Sequence, residues 1–309
     1  MRFPKKLEQG NTVLLVSLSS PLAADQPVEA IAAAVENLGF RVRIGESCRA
    51  STPSGYAAAP AEVRANDLNR GFADPSVDAI WCTRGGSTSW QLLPLLDYVC
   101  IAAHPKPFIG FSDVTTLHLA IQQRCGFVAF HGPTANRTLG WQDDLFSWRS
   151  LRAALEMEEC MPVENPAGED IQVLRPGRAC GRLTGGNLSL VTTSLGTPWQ
   201  IDARNCILFL EDVGEDVYAL EEMLWQLKYN GTLDAAVGLV FGAFTGCRNA
   251  YRGDYGPLEM IKDFFAGWPK PVLWNVRSAH CSPMVTLPMG TMCAIDGCGK
   301  GAMTLRRWK

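Results

Sequence analysis

Short apolar runs alternate with amphipathic stretches along the first half of the chain. Residues 12–18 are almost continuously apolar. Val28, Ile31, Ala34, Val35 and Leu38 follow at helical spacing, and residues 40–44 read as a second strand. A short unbroken run fits a strand buried on both faces, whereas recurrence at i, i+3, i+4 and i+7 fits a helix with one buried face. The pattern predicts strands over 13–17, 41–44, 79–82 and 107–110. It predicts helices between them, most clearly over 61–72 and 89–96. Alternating strand and helix implies a parallel, Rossmann-like sheet covered on both faces. Ligands of such sheets bind beyond the carboxyl ends of the strands, where Arg84-Gly85-Gly86 and Ser112 lie.

The pattern changes after about Leu155. Residues 158–177 are rich in proline, glycine and acid, which predicts a linker over 156–178. Beyond it, apolar runs at 206–210, 238–241, 272–274, 292–295 and 302–305 are punctuated by glycine, with one clear helix over 218–227. The expected organisation is therefore an α/β domain over 1–155 and a smaller, β-rich mixed domain over 179–309. No internal repeat is apparent.

Composition narrows the function classes. Of the 309 residues, 47% are hydrophobic, enough to build one large core or two ordinary ones. A formal net charge of −3 argues against a nucleic-acid partner, which calls for a basic face. The 11 cysteines are odd in number and none has C-x-x-C spacing. Reduced thiols in the cytosol are expected rather than a disulfide framework. Arg2, Lys5 and Lys6 before an apolar run weakly imitate an export signal. Glu8-Gln9-Gly10-Asn11 separates the charges from that run, and the following helix and strand read as a β-α-β start. No stretch approaches the ~20 apolar residues that cross a bilayer.

The most telling segment is Pro107-Phe108-Ile109-Gly110-Phe111-Ser112-Asp113-Val114-Thr115. An apolar strand runs into a tight turn bearing one serine, and a helix opens at Asp113. That is the arrangement of a nucleophile elbow, which exposes a hydroxyl beside the N–H groups of a helix N-terminus. A serine hydroxyl needs a base, most often histidine. Of the four histidines, His104 lies in a loop and His118 on the helix after the elbow. His131 follows an apolar strand and reads as a structural histidine, although a place near the site stays open. His280, in the small polar loop Arg277-Ser278-Ala279-His280-Cys281-Ser282, is well placed to project into a cleft between domains. The orienting acid is sought in Ile207-Leu208-Phe209-Leu210-Glu211-Asp212-Val213-Gly214-Glu215. Glu211 comes first off this strand and is the first choice, with Asp212 and Glu215 as alternatives.

An oxyanion hole needs two N–H donors. Asp113 can supply one, and Gly85 or Gly86 the other. Arg84 is a candidate to hold a substrate carboxylate, with structural pairing to a nearby acid as the competing reading. Residues 181–188 (GRLTGGNL) lack the Lys-Ser/Thr of a phosphate loop and read as a structural turn. His280, Cys281, Cys293 and Cys298 do not have zinc-site spacing.

Taken in order, Arg84-Gly85-Gly86, Gly110-Phe111-Ser112-Asp113, His131-Gly132-Pro133, residues 181–188, Phe209-Leu210-Glu211-Asp212 and His280 followed by Leu287-Pro288-Met289-Gly290 resemble the LD-carboxypeptidases, also called muramoyltetrapeptide carboxypeptidases. The likeness runs from about Gly10 to Ile295. It implies a Ser112–His280–Glu211 triad, with serine on an α/β domain, acid and base on a smaller β-rich domain, and the site at their interface. It also implies a cytoplasmic, metal-free and cofactor-free homodimer that removes the terminal D-alanine of murein tetrapeptides, free or sugar-linked, in peptidoglycan recycling. Two positions depart from the pattern: Ser87, where members often carry an aromatic residue, and Ala279, where they often carry glycine. Both bear on the substrate pocket.

Three other readings remain open. The same family includes microcin C immunity peptidases, which cleave an aminoacyl- or peptidyl-nucleotide amide and need an aromatic shelf, for which Trp141 and Trp148 are available. An α/β-hydrolase esterase shares the order Ser, acid, His, but its elbow has a second glycine that G-F-S-D-V lacks. The last is a cytosolic sensor that binds murein peptides without cleaving them.

Overall fold

The structure, a computed structural model, describes residues 1–307. Its strands are β1 (Thr12–Val16), β2 (Arg41–Ile44), β3 (Ala79–Cys82), β4 (Phe108–Gly110), β5 (Ala129–His131), β6 (Cys160–Pro162), β7 (Gln172–Arg175), β8 (Arg178–Asn187), β9 (Cys206–Val213), β10 (Gly238–Thr245), β11 (Val272–Trp274), β12 (Leu287–Met289), β13 (Met292–Asp296) and β14 (Ala302–Arg306). Two units emerge: Met1–Glu156 with Thr286–Met289, and Met157–Val285 with Gly290–Lys309.

The first unit holds a six-stranded sheet in the order β12-β5-β4-β3-β1-β2. Its strands are parallel except β12, which runs antiparallel to β5. β1 (TVLLV) and β3 (AIWC) are buried at every position, as central parallel strands between helical layers must be. β2 alternates exposed and half-buried residues because it forms an edge. Helices α1 (Val28–Glu36), α2 (Ala61–Ala73), α3 (Tyr98–Ala103), α4 (Thr115–Cys125) and α5 (Leu145–Glu156) accompany this sheet. α1 buries Val28, Ile31, Ala32 and Val35, its predicted apolar face. α4 is buried on nearly all sides and stops at Gly126, whose φ of 70° satisfies the left-handed cap. Residues Ser89–Leu95 form a 3₁₀ helix where an α-helix is expected; Pro94 within it has no N–H to extend an i→i+4 ladder.

The second unit holds an eight-stranded mixed sheet in the order β6-β14-β13-β8-β9-β10-β11-β7. Strands β8 to β11 are mutually parallel, and the flanking pairs are antiparallel. Helices α6 (Leu188–Thr193), α7 (Val217–Tyr229), α8 (Thr232–Ala235) and α9 (Pro257–Phe264) belong to this unit. Within 156–178, where a linker is expected, β6 and β7 form the two edges of this sheet. Edge strands tolerate the proline and polar residues that mask them in the sequence. Residues 181–187 are a strand rather than the expected turn. A Cβ on Gly181 would sit 2.5 Å from the Asn205 carbonyl oxygen, and one on Gly185, whose φ is 115°, would collide with the Phe209 carbonyl. These glycines let β8 approach β9 backbone to backbone. Among the described residues, no helix is long and apolar enough to cross a membrane.

Candidate active site

In the first unit, β4 ends at Gly110 and Phe111 is extended, with φ −154°. Ser112 then takes φ 64°, a left-handed conformation that costs a non-glycine residue about 1–2 kcal/mol. One 3₁₀ turn, Ser112–Val114, leads into α4. The strained residue at a strand-to-helix turn is the elbow expected from the sequence. Only one glycine is needed here. A Cβ on Gly110 would lie 3.0 Å from Val114 Cγ1 and 3.2 Å from Cys82 Cβ, so the bulk sits on Val114 and the space is made at Gly110.

The loop after β3 lies against this elbow. A Cβ on Gly85 would be 3.0 Å from Ser112 Cβ and 3.3 Å from its Oγ. Gly86, with φ 150°, leaves no room for a Cβ beside the hydroxyls of Ser19 and Ser20. The loop is held by Asp113, whose side chain is completely buried. Its Oδ2 accepts the N–H of Thr88 at 2.8 Å, the N–H of Ser89 at 2.7 Å, and the Ser19 hydroxyl. Ser89 Oγ donates back to the Asp113 carbonyl at 2.6 Å. Arg64, also fully buried, braces the same region by donating to the carbonyls of Leu18 and Ala59, each at 2.8 Å, and to Thr88 Oγ1 at 3.0 Å. Burial lowers the pKa of the Arg64 guanidinium, and the Asp113 carboxylate opposes this. Asp113 thus has a structural duty that its place after the serine does not reveal, and Ser19 and Arg64 escaped the sequence reading. A serine just beyond β1 and an arginine on a buried helix face were the only signals for them. Arg84 is exposed and donates to the Pro21 carbonyl at 3.0 Å, so its partner is a backbone carbonyl rather than an acid.

In the second unit, β9 carries Glu211 and Asp212 on successive residues, which a strand directs to opposite faces. Glu211 is fully buried, and its Oε2 accepts the Nδ1–H of His280 at 2.7 Å. Gly242 on β10 makes room for it, since a Cβ there would lie 3.0 Å from Glu211 Cβ. Burial raises the Glu211 carboxyl above its ordinary value, while the His280 contact pulls it back. Asp212 faces α6: it accepts the N–H and hydroxyl of Ser189 at 2.9 and 2.7 Å and the amide of Asn187 at 3.0 Å. It serves as a helix cap and is not the histidine's partner. Glu215 is half-buried beyond Gly214, its carboxyl raised by burial and by Asp212. His280 follows Ala279, a buried residue at φ 81°, a conformation suited to the glycine common at this position in the family it resembles.

The remaining histidines have other surroundings. His104 is exposed and its Nδ1 lies 3.0 Å from the Cys100 carbonyl. His118 is buried against the edge of Phe108, with ring centroids 5.3 Å apart, and burial lowers its pKa to about 3. His131 closes β5, buried, its ring 6.1 Å from that of Phe111. Gly132 beside it admits Thr286, whose Cγ2 would lie 2.8 Å from a Cβ there. The rings of Trp141 and Trp148 meet at a tilt with centroids 4.9 Å apart, and Trp141 also meets Trp81 at 5.6 Å, as packing residues do. Among the described residues, no group of three or more His, Cys, Asp and Glu is arranged to hold a metal ion.

Residues 13–132 match the family described as the LD-carboxypeptidase N-terminal domain, and residues 180–295 match its C-terminal domain. The chain belongs to the LD-carboxypeptidase family. A Bacillus subtilis (strain 168) relative named "Probable murein peptide carboxypeptidase" is 35% identical over 97% of this chain and 93% of its own. The murein tetrapeptide carboxypeptidase of Pseudomonas aeruginosa is 33% identical over 92% and 93%. The solved structure of microcin C7 self-immunity protein MccF in complex with aspartyl sulfamoyl adenosine superposes with a TM-score of 0.91 at 25% identity, covering 100% of this chain and 99% of that one. These relatives support a peptidase, and carboxypeptidase chemistry, for this chain.

Proposed function

We propose that the chain is a serine LD-carboxypeptidase that releases the terminal D-alanine of murein tetrapeptides through Ser112, His280 and Glu211. The observation that carries this reading is the 2.7 Å bond from His280 Nδ1–H to the fully buried Glu211 carboxylate. A buried carboxylate in that role selects the tautomer with a bare Nε2 and stabilises the imidazolium. Nε2 then takes the proton of Ser112 as Oγ forms a bond to the scissile carbonyl carbon. The oxyanion is held by the Asp113 N–H and by one from Gly85 or Gly86. The C–N bond breaks as His280 returns the proton to the departing D-alanine amine. Water, deprotonated in its turn by His280, hydrolyses the acyl-enzyme and restores Ser112. The left-handed Ser112 supports its role as nucleophile. Family resemblance supports a cytoplasmic homodimer working in peptidoglycan recycling.

The second reading, cleavage of a microcin-type aminoacyl-nucleotide amide, is favoured by the MccF likeness at TM-score 0.91. One experiment separates them: D-alanine release from purified murein tetrapeptide beside hydrolysis of a processed microcin-type amide, each with wild type and Ser112→Ala. D-alanine release by wild type alone is expected. Cleavage of the nucleotide amide alone transfers the assignment to the second reading, and full activity of Ser112→Ala overturns the mechanism.

A further inference from the structure

The loop that carries His280 is tied down by a segment with no assigned role. Asn165 lies between β6 and β7, half-buried. Its side-chain oxygen accepts the N–H of Arg277 at 2.8 Å, and its amide donates to the carbonyl of Asn275 at 2.6 Å. One carboxamide therefore spans both sides of Val276, just after β11 ends at Trp274. Val276 is buried and donates its N–H to the Phe241 carbonyl at 3.1 Å. The same segment makes a second attachment: Asn275, at φ 66°, donates its side-chain amide to Glu169 Oε2 at 3.2 Å and to the Asp170 carbonyl at 3.1 Å. Beyond this anchor the chain closes a loop on itself. Val285 N–H donates to the Arg277 carbonyl at 2.6 Å, and Ser278 Oγ donates to the Val285 carbonyl at 2.7 Å. His280 rides on that loop.

We propose that Asn165 is a positioning residue for His280, acting through the backbone of residues 275–277. This rests on the reading of His280 as the catalytic base. The His280–Glu211 bond tolerates only a few tenths of an ångström, and misplacing a reacting group by 1 Å can cost ~10²-fold in rate. Asn165 supplies a donor and an acceptor in one rigid amide, which neither alanine nor aspartate can do. Alanine supplies neither group. Aspartate keeps an acceptor for Arg277 N–H but turns an oxygen toward the Asn275 carbonyl.

The test uses the full chain as wild type, Asn165→Ala, Asn165→Asp and His280→Gln. Steady-state hydrolysis is measured beside the low-field proton NMR signal of His280 Nδ1–H, assigned by its loss in His280→Gln. Asn165→Ala is expected to lower kcat roughly 10- to 100-fold with KM within about threefold. The His280 signal should shift and broaden through exchange in both Asn165 variants. If Asn165→Ala does not fold, the near-isosteric Asn165→Asp carries the test. Wild-type kcat with an unmoved signal overturns the proposal, and so does a lower kcat with an unmoved signal, since that marks a merely structural role. An unchanged rate in His280→Gln instead overturns the reading of the base, and the signal of the Asn165 variants still decides the positioning.

Discussion

Replacing Asp113 by alanine removes the acceptor that gathers the Thr88 and Ser89 N–H groups, at 2.8 and 2.7 Å, and the Ser19 hydroxyl. The Ser89 N–H loses its acceptor, and the Thr88 N–H keeps only the Ser19 hydroxyl, at 3.4 Å. Each buried donor left without a partner costs about 1–3 kcal/mol, so the loop should lose at least about 1 and at most about 6 kcal/mol of local stability. That is large beside the 5–15 kcal/mol typical of a whole domain. Asparagine retains one neutral carbonyl oxygen, and because charge-assisted bonds are about twice as strong as neutral ones, Asp113→Asn should lose roughly 1–2 kcal/mol. Amide hydrogen exchange at Thr88 and Ser89 reads this directly, without assuming that the whole chain unfolds in one step. At about 1.4 kcal/mol per factor of ten, exchange should accelerate roughly 5- to 10⁴-fold in Asp113→Ala, most at Ser89, and about 5- to 30-fold in Asp113→Asn. Hydrolysis should fall with it, because the same loop holds Gly85 beside Ser112. Acceleration below about fivefold in Asp113→Ala would refute the assignment of this carboxylate as the loop's clamp.

Gly85→Ala places a methyl 3.0 Å from Ser112 Cβ, at a backbone conformation that alanine accepts, and should cut kcat at least ~10-fold with a thermal midpoint within about 3 °C of wild type. Glu211 binds its proton more tightly folded than unfolded, so stability should fall as pH rises from the ordinary carboxyl value of 4.5 toward the raised one. Unfolding curves across that window should be flatter in Glu211→Gln, which should also lose most hydrolysis. His118 shows the opposite sign: unfolded chains bind its proton below pH 6.5 and the folded chain only near pH 3, so stability drains as pH falls between those values. The gap corresponds to about 5 kcal/mol at most. His118→Leu should remove that acid sensitivity, and an unchanged acid limb would refute the buried neutral imidazole.

Much of the molecule is written locally. The strands expected at 41–44 and 79–82 coincide with β2 and β3, and the apolar runs at 206–210, 238–241 and 272–274 lie within β9, β10 and β11. Strand and helix periods are set by near neighbours, so short windows suffice to find them. The elbow was equally legible, because a strand, a lone serine and a helix start fall within nine consecutive residues and φ 64° is a local property. Tertiary structure decided whatever depends on a distant partner. β6 and β7 exist because sheet edges accept their backbone hydrogen bonds, not because their residues favour strands. β12 is antiparallel to β5 across more than 150 residues of chain, a pairing no window contains. Glu211 was the first choice over Asp212 and Glu215 only by its order along the chain, and strand alternation is what directs Glu211 to His280 and Asp212 to α6. A carboxylate's role is set by which donors the fold brings within 3 Å, and such distances are absent from the order of residues along a chain.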